Sequence, residues 1–168
     1  VLDDDFAIGG VKVRVRPVPH VGLTVGYRLE AEGRSIAYVS DHQAPVDFQG
    51  IADSVLDLCD GVDLLIHDAQ YTPADWETKS HWGHCTVDYA VDVAIAARVR
   101  ALCLFHHDPS RTDAELDCLT SAAQKRGVAA GIEVFSAAEN LAIEVGEPIK
   151  PQLSRRFAVG PMFAPRLG

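Results

Sequence analysis

The chain has 168 residues, 48% hydrophobic and 23% charged, which suits one globular domain with its own core and excludes a disordered or low-complexity chain. Lysine and arginine total 15 against 24 aspartates and glutamates; the net charge of −9 argues against a broad surface for nucleic-acid phosphates, although it leaves room for a local basic groove. No apolar run reaches the roughly 18 residues of a membrane helix, and the opening Val1-Leu2-Asp3-Asp4-Asp5 lacks the basic start and apolar centre of a signal peptide.

Taken in chain order, the first clear element is a strand: Val11, Val13 and Val15 alternate with Lys12, Arg14 and Arg16. Residues 24–30 and 35–39 predict two further strands, joined by a turn at Glu32-Gly33-Arg34. Ile51, Val55 and Leu58 share one face of a helix over 51–59, which Gly61 stops. The apolar run 62–66 reads as a strand buried on both faces. Thr86 is a helix N-cap followed by Val87, Ala90, Val91, Ala94 and Ile95 at helical spacing. Residues 101–105 predict another buried strand, and Thr112 with Glu115 forms a capping box opening a helix that ends at Gly127. Two strands, 132–135 and 141–145, complete the pattern. Four prolines mark the segment 147–168 as an extended or loosely docked tail, leaving 1–146 as the domain. Strands first, then helices and strands in alternation, predict a layered α/β fold with helices over a sheet.

Cys59, Cys85, Cys103 and Cys118 form no C-x-x-C pair, which excludes a zinc ribbon and suits free thiols in a cytoplasmic protein. The histidines say more. Five of the seven lie between His67 and His107. His20, Asp41, His67 with Asp68, and His106 each follow a predicted strand, and side chains at strand ends meet along one rim of an α/β sheet. A metal site needs imidazoles and carboxylates from remote segments brought to about 2.0–2.2 Å from one ion. Spacing alone leaves that reading level with incidental polar residues: Asp41 also suits a turn, and His106 with His107 a solvated pair.

The runs Val39-Ser40-Asp41, Leu65-Ile66-His67-Asp68-Ala69, Gly83-His84-Cys85-Thr86 and Leu104-Phe105-His106 resemble, in this order, the second half of the metallo-β-lactamase superfamily. His20 ahead of Gly26-Tyr27-Arg28-Leu29-Glu30 is similar to the ribonuclease Z and phosphodiesterase branch. The resemblance spans roughly residues 8 to 145. It implies a partial αββα sandwich and a two-metal hydrolase, with zinc the first choice of ion and manganese or iron alternatives. On this resemblance His20, Asp41 and His106 are metal ligands, Asp41 bridging the two ions, with His107 a register rival of His106. His84 is the proton donor to the leaving group, Asp68 a residue that orients a nearby histidine, and His81 and Trp82 line a substrate pocket. The chain departs from the family in having Ser-Asp-His around Asp41 where Gly-Asp-Thr is common.

The implied substrate is a phosphodiester or similar small molecule, cleaved by a water whose pKa the metals lower towards 7. The acidic balance favours such a substrate over transfer RNA, and a non-catalytic binding or scaffold module is the alternative. The superfamily hallmark H-x-H-x-D-H is nowhere in the sequence; His81-Trp82-Gly83-His84 has the wrong spacing and no aspartate. The expectation is therefore a partial chain, inactive alone, whose parent carries that motif ahead of Val1. Half of such a sandwich would expose an apolar sheet face, so the chain is expected to fold poorly alone or to associate into a homo-oligomer.

Overall fold

The structure is a computed structural model and describes residues 3–153. They form two compact units divided between Ser136 and Ala137, ahead of the division expected between 146 and 147.

The first unit is built on one seven-stranded sheet whose strands lie in chain order. The strands are β1 (Asp4–Ile8), β2 (Val11–Val18), β3 (Thr24–Ala31), β4 (Arg34–Val39), β5 (Leu64–Asp68), β6 (Ala101–Phe105) and β7 (Glu133–Ser136). β1 to β4 are antiparallel neighbours, as short turns allow. Gly9 and Gly10, both at positive φ, close the β1–β2 hairpin. From β4 onward the pairing is parallel, and the connections carry helices: α1 (Asp53–Cys59), α2 (Pro73–Lys79), α3 (Val87–Ala96) and α4 (Asp113–Ala129). The second unit holds an antiparallel pair, β8 (Leu141–Glu144) with β9 (Lys150–Leu153). The prolines of the expected tail thus include Pro151 inside a strand, and residues 154–168 lie outside the described residues.

The core explains the helix positions. Val18, Ala37, Val39, Leu65, Leu102, Leu104 and Val134 share one face of the sheet, and Val55 and Leu58 of α1 and Ala90, Val91 and Ala94 of α3 cover it. Gly26 sits where α1 comes closest: a Cβ there would be 2.7 Å from Leu58 Cδ1. The opposite face is different. Cross-strand partners point the same way, so Phe6, Val13, Leu29 and Ile36 form one row and Val15, Tyr27 and Tyr38 another. Among the described residues the helices pack on the other face; in these rows Phe6 and Tyr27 are 42% and 38% exposed, while Val13 and Val15 are buried. The first unit is therefore one sheet and one helical layer.

Five elements differ from the sequence-based expectation: β1 and β9 were not expected as strands, and α4 continues through Gly127 to Ala129. β5 runs to Asp68, because Val39 pairs with His67 and Asp68 with Phe105; His67 and Asp68 are the last two residues of the strand, not the start of the loop after it. α2 was not expected, since its seven residues carry no apolar period. Its start is nonetheless written locally: Thr72 accepts from the Asp75 amide, Asp75 returns the bond, and Pro73 opens the helix. Among the described residues no helix is long and apolar enough to cross a membrane.

Candidate metal centre

The carboxyl ends of β4, β5 and β6 lie side by side, and each delivers a polar residue to the same rim. Asp41 lies two residues past β4, Asp68 ends β5, and His106 follows β6 directly. His106 adopts φ +56°, a left-handed conformation that is rare for a non-glycine residue and costs on the order of 1–3 kcal/mol. Its Nε2 lies 3.3 Å from Asp41 Oδ1.

The loop between α2 and α3 brings His84 to the same place. One donor atom each from Asp41, His84 and His106 lie within 4.8 Å of one another, the spacing a shared cation requires. His107 is outside this cluster, which therefore contains the first of the two register candidates. The His20 ring centroid is 5.4 Å from that of His84, and His20 Nδ1 donates to the Gly83 carbonyl at 2.7 Å. That bond fixes the tautomer and leaves His20 Nε2 with its lone pair, the arrangement typical of a metal-binding imidazole. His81 and Trp82 lie outside the cluster; both are exposed, and Trp82 stands under the Lys79 ammonium at 5.9 Å.

Asp68 organises the floor of the site. It is fully buried, and its Oδ2 accepts from His84 Nδ1 at 2.7 Å and from the His42 amide at 3.1 Å, while Oδ1 accepts from the Gln70 amide at 3.1 Å. The Asp68 hydrogen bond raises the His84 pKa above the usual imidazole range; burial opposes it, and the charges of Asp68 and Asp41 reinforce it. For Asp41, burial pushes the carboxyl up. The Ser40 hydroxyl at 2.6 Å and the neighbouring His106, His20 and His84 outweigh this and hold it below the ordinary range.

His42 is not among the residues expected at the site, and His67 was expected only as one of the residues at the rim. Both are fully buried behind Asp41, with His42 Nδ1 2.9 Å from His67 Nε2. Burial, first of all, lowers both imidazole pKa values. Two imidazoles and a carboxylate, with a further oriented imidazole at hand, are a donor set that suits a borderline divalent ion such as zinc, manganese or iron.

Residues 2–107 match the sequence family described as the β-lactamase superfamily domain. The chain is similar to the ribonuclease Z of Brevibacillus brevis, 35% identical over 85 residues, which make up 51% of this chain and 24% of that protein. It is also similar to the ribonuclease Z of Sulfolobus acidocaldarius, 38% identical over 94 residues, 55% of this chain and 29% of that protein. Among solved structures, the metallo-β-lactamase fold protein YhfI of Bacillus subtilis superposes with a TM-score of 0.66 at 19% identity, over 82% of this chain and 50% of that one. The matched regions thus span about a quarter to a half of these relatives. A family match over most of the chain, the shared fold and the ribonuclease Z sequences agree: the chain belongs to the metallo-β-lactamase superfamily.

Proposed function

We propose that the protein is a metal-dependent hydrolase of phosphodiester bonds, in which His20, Asp41 and His106 would help to hold two divalent ions. Bound there, such ions would polarise a phosphoryl oxygen and lower the pKa of a water towards 7. Three donors are fewer than two such ions take, so other groups or solvent complete the coordination.

The observation that carries this reading is the meeting of Asp41, His84 and His106, with Asp68 behind His84. Asp68 holds the His84 ring by its Nδ1 proton and favours the charged form, which leaves Nε2–H as the group able to protonate a departing oxygen. General-acid assistance of this kind contributes roughly 10²–10⁴-fold. Asp41, kept ionised, supplies negative charge for the cations. The net charge of −9 favours a small phosphodiester over a long polyanion.

The test is hydrolysis of bis(p-nitrophenyl) phosphate by the protein bearing this chain, with metal content measured alongside. Asp41→Asn is expected to lower both metal content and rate. His84→Ala is expected to lower the rate and leave the metal in place. Loss of metal in His84→Ala would make His84 a ligand instead of the acid. Bound metal without turnover of any phosphodiester would favour a binding or scaffold module.

A further inference from the structure

The short helix α2 adds little to the core, since of its seven residues Trp76 alone is buried. Its charged side chains are committed elsewhere. Asp75 Oδ2 accepts from Arg111 at 2.8 Å, and Lys79 Nζ donates to Asp108 Oδ2 at 3.0 Å. Both partners lie on the loop that follows His106. That loop is tight in itself: the Asp108 carboxylate accepts from the Ser110 amide at 3.0 Å and from its hydroxyl at 2.6 Å. The Arg111 amide donates to the Asp108 carbonyl at 3.0 Å, and its guanidinium to the Gln70 carbonyl at 3.2 Å. A lone exposed ion pair would hold such a loop weakly, but these four side chains are between 12% and 26% exposed and act as a network.

Lys79 also faces the segment that carries His84. Its ammonium lies 5.4 Å from the Tyr71 ring centroid and 5.9 Å from that of Trp82, both within cation–π range. Trp82 stands two residues before His84. Tyr71 is buried and packs edge-on against the His84 ring, centroids 5.8 Å apart. Its backbone is tied to the same segment, the Tyr71 amide donating to the Cys85 carbonyl at 3.0 Å and the Val87 amide to the Tyr71 carbonyl at 2.9 Å. One side chain therefore joins the two stretches that bring His84 and His106 to the rim. The two imidazoles meet edge to face with centroids 4.6 Å apart, although neither lies within a strand or helix and His106 is left-handed. Backbone strain of that kind persists only where the surroundings over-determine it, and the network on α2 supplies the constraint.

We propose that Lys79 is a positioning residue, which sets the distance between the His84 and His106 imidazoles by clamping the Asp108 loop to the Tyr71 and Trp82 side of the His84 segment. The inference goes beyond the hydrolase reading and rests on it only for the role of His106 as a ligand.

The test has two readouts on the protein bearing this chain. The first, on metal-free protein, is the nuclear Overhauser contact between the ring protons of His84 and His106, a distance that ion binding does not enter. Lys79→Met keeps the apolar stem and removes the ammonium; it is expected to lose most of this contact. Lys79→Arg keeps a cation for Asp108 and for both rings, and is expected to restore it. The second readout is cobalt(II) affinity, expected to fall about 10–100-fold in Lys79→Met, the range for groups that orient ligands, and to stay within about threefold of wild type in Lys79→Arg. Should Lys79→Met not fold, Asp108→Asn takes its place, since it retains an acceptor for Ser110 and loses the charge that faces Lys79; the same loss of contact is expected. A lysine that only adds stability would lower the melting temperature and leave the imidazole contact intact in the folded variant. That result, or a contact that Lys79→Arg fails to restore, would overturn the proposal. Loss of the contact in Lys79→Met alongside a wild type that binds no cobalt would leave the positioning role standing and remove the metal reading alone.

Discussion

Gly83 and His20 approach more closely than any side chain at position 83 would permit: a Cβ there would lie 2.4 Å from His20 Cε1. The same glycine has φ +101° and accepts the His20 Nδ1 proton on its carbonyl. Gly83→Ala therefore combines backbone strain of about 1–3 kcal/mol with displacement of the imidazole. The expected outcome is a lower melting temperature together with reduced metal content, read by calorimetry and elemental analysis. Wild-type metal content in a folded Gly83→Ala protein would separate His20 from the metal.

The fully buried Asp68 carboxylate accepts from His84, from the His42 and Gln70 amides, and at longer range from Cys85. Asp68→Ala takes this acceptor away from all of them, at about 1–3 kcal/mol for each donor that stays buried and unpaired, and is expected to abolish stable folding. Asp68→Asn preserves shape but not charge. It is expected to retain the fold at reduced stability, shift the alkaline limb of the rate profile, where His84 loses its proton, to lower pH, and slow phosphodiester hydrolysis by one to two orders of magnitude at neutral pH, within the general-acid range of about 10²–10⁴. An unchanged pH–rate profile would remove Asp68 from any role in holding the His84 proton.

Acid stability rests partly on Asp75, the N3 residue of α2. Burial pushes its carboxyl up, but hydrogen bonds from Thr72 and the Arg111 guanidinium bring the pKa from 3.8 down to about 2. A folded-state pKa below the unfolded one gives stability that is fully present above pH 3.8 and disappears as the pH falls towards 2. The Ser110 and Lys79 partners of Asp108 push its carboxyl the same way. Arg111→Ala is expected to raise the midpoint of acid unfolding, followed by circular dichroism between pH 5 and pH 2; an unmoved midpoint would show the pair to be idle.

The uncovered sheet face has a consequence for the 168-residue chain in isolation. Phe6, Tyr27 and Leu29 of this face are exposed, and the apolar area they present costs about 25 cal/mol per Å² in water. Self-association through this face is expected, so the denaturation midpoint should rise with protein concentration. Leu29→Lys should weaken that dependence. A concentration-independent monomeric transition would show that the face is stable in water as it stands.

Most of the first unit was legible because its signals are local. The Val11, Val13, Val15 alternation and the Thr112–Glu115 capping box are each read within a few residues, and the strand and the start of the helix form where expected, while the helix passes through Gly127 to Ala129. The start of α2 was equally local, in Thr72, Pro73 and Asp75, but seven residues are too few for an apolar period. The rim was legible in outline, since residues after strands share an edge. Asp68 was expected, on the resemblance, to orient a histidine; that it also holds the His42 and Gln70 amides, and that His42 is buried, was not legible, because these depend on Tyr89, His67 and His84, which arrive from other segments.

The three parallel strands also fix when such a site comes into being. Asp41, Asp68 and His106 reach one rim only through the pairings of β4 with β5 and of β5 with β6, each made across a helical crossover. A slip of β5 by one residue would exchange the sides on which His67 and Asp68 emerge. No local fragment contains the constellation, so it requires non-local strand pairing. Proximity of the imidazole at 106 to the carboxylate at 41 is thus a reporter of completed sheet alignment, and a spectroscopic label on that pair would time that alignment.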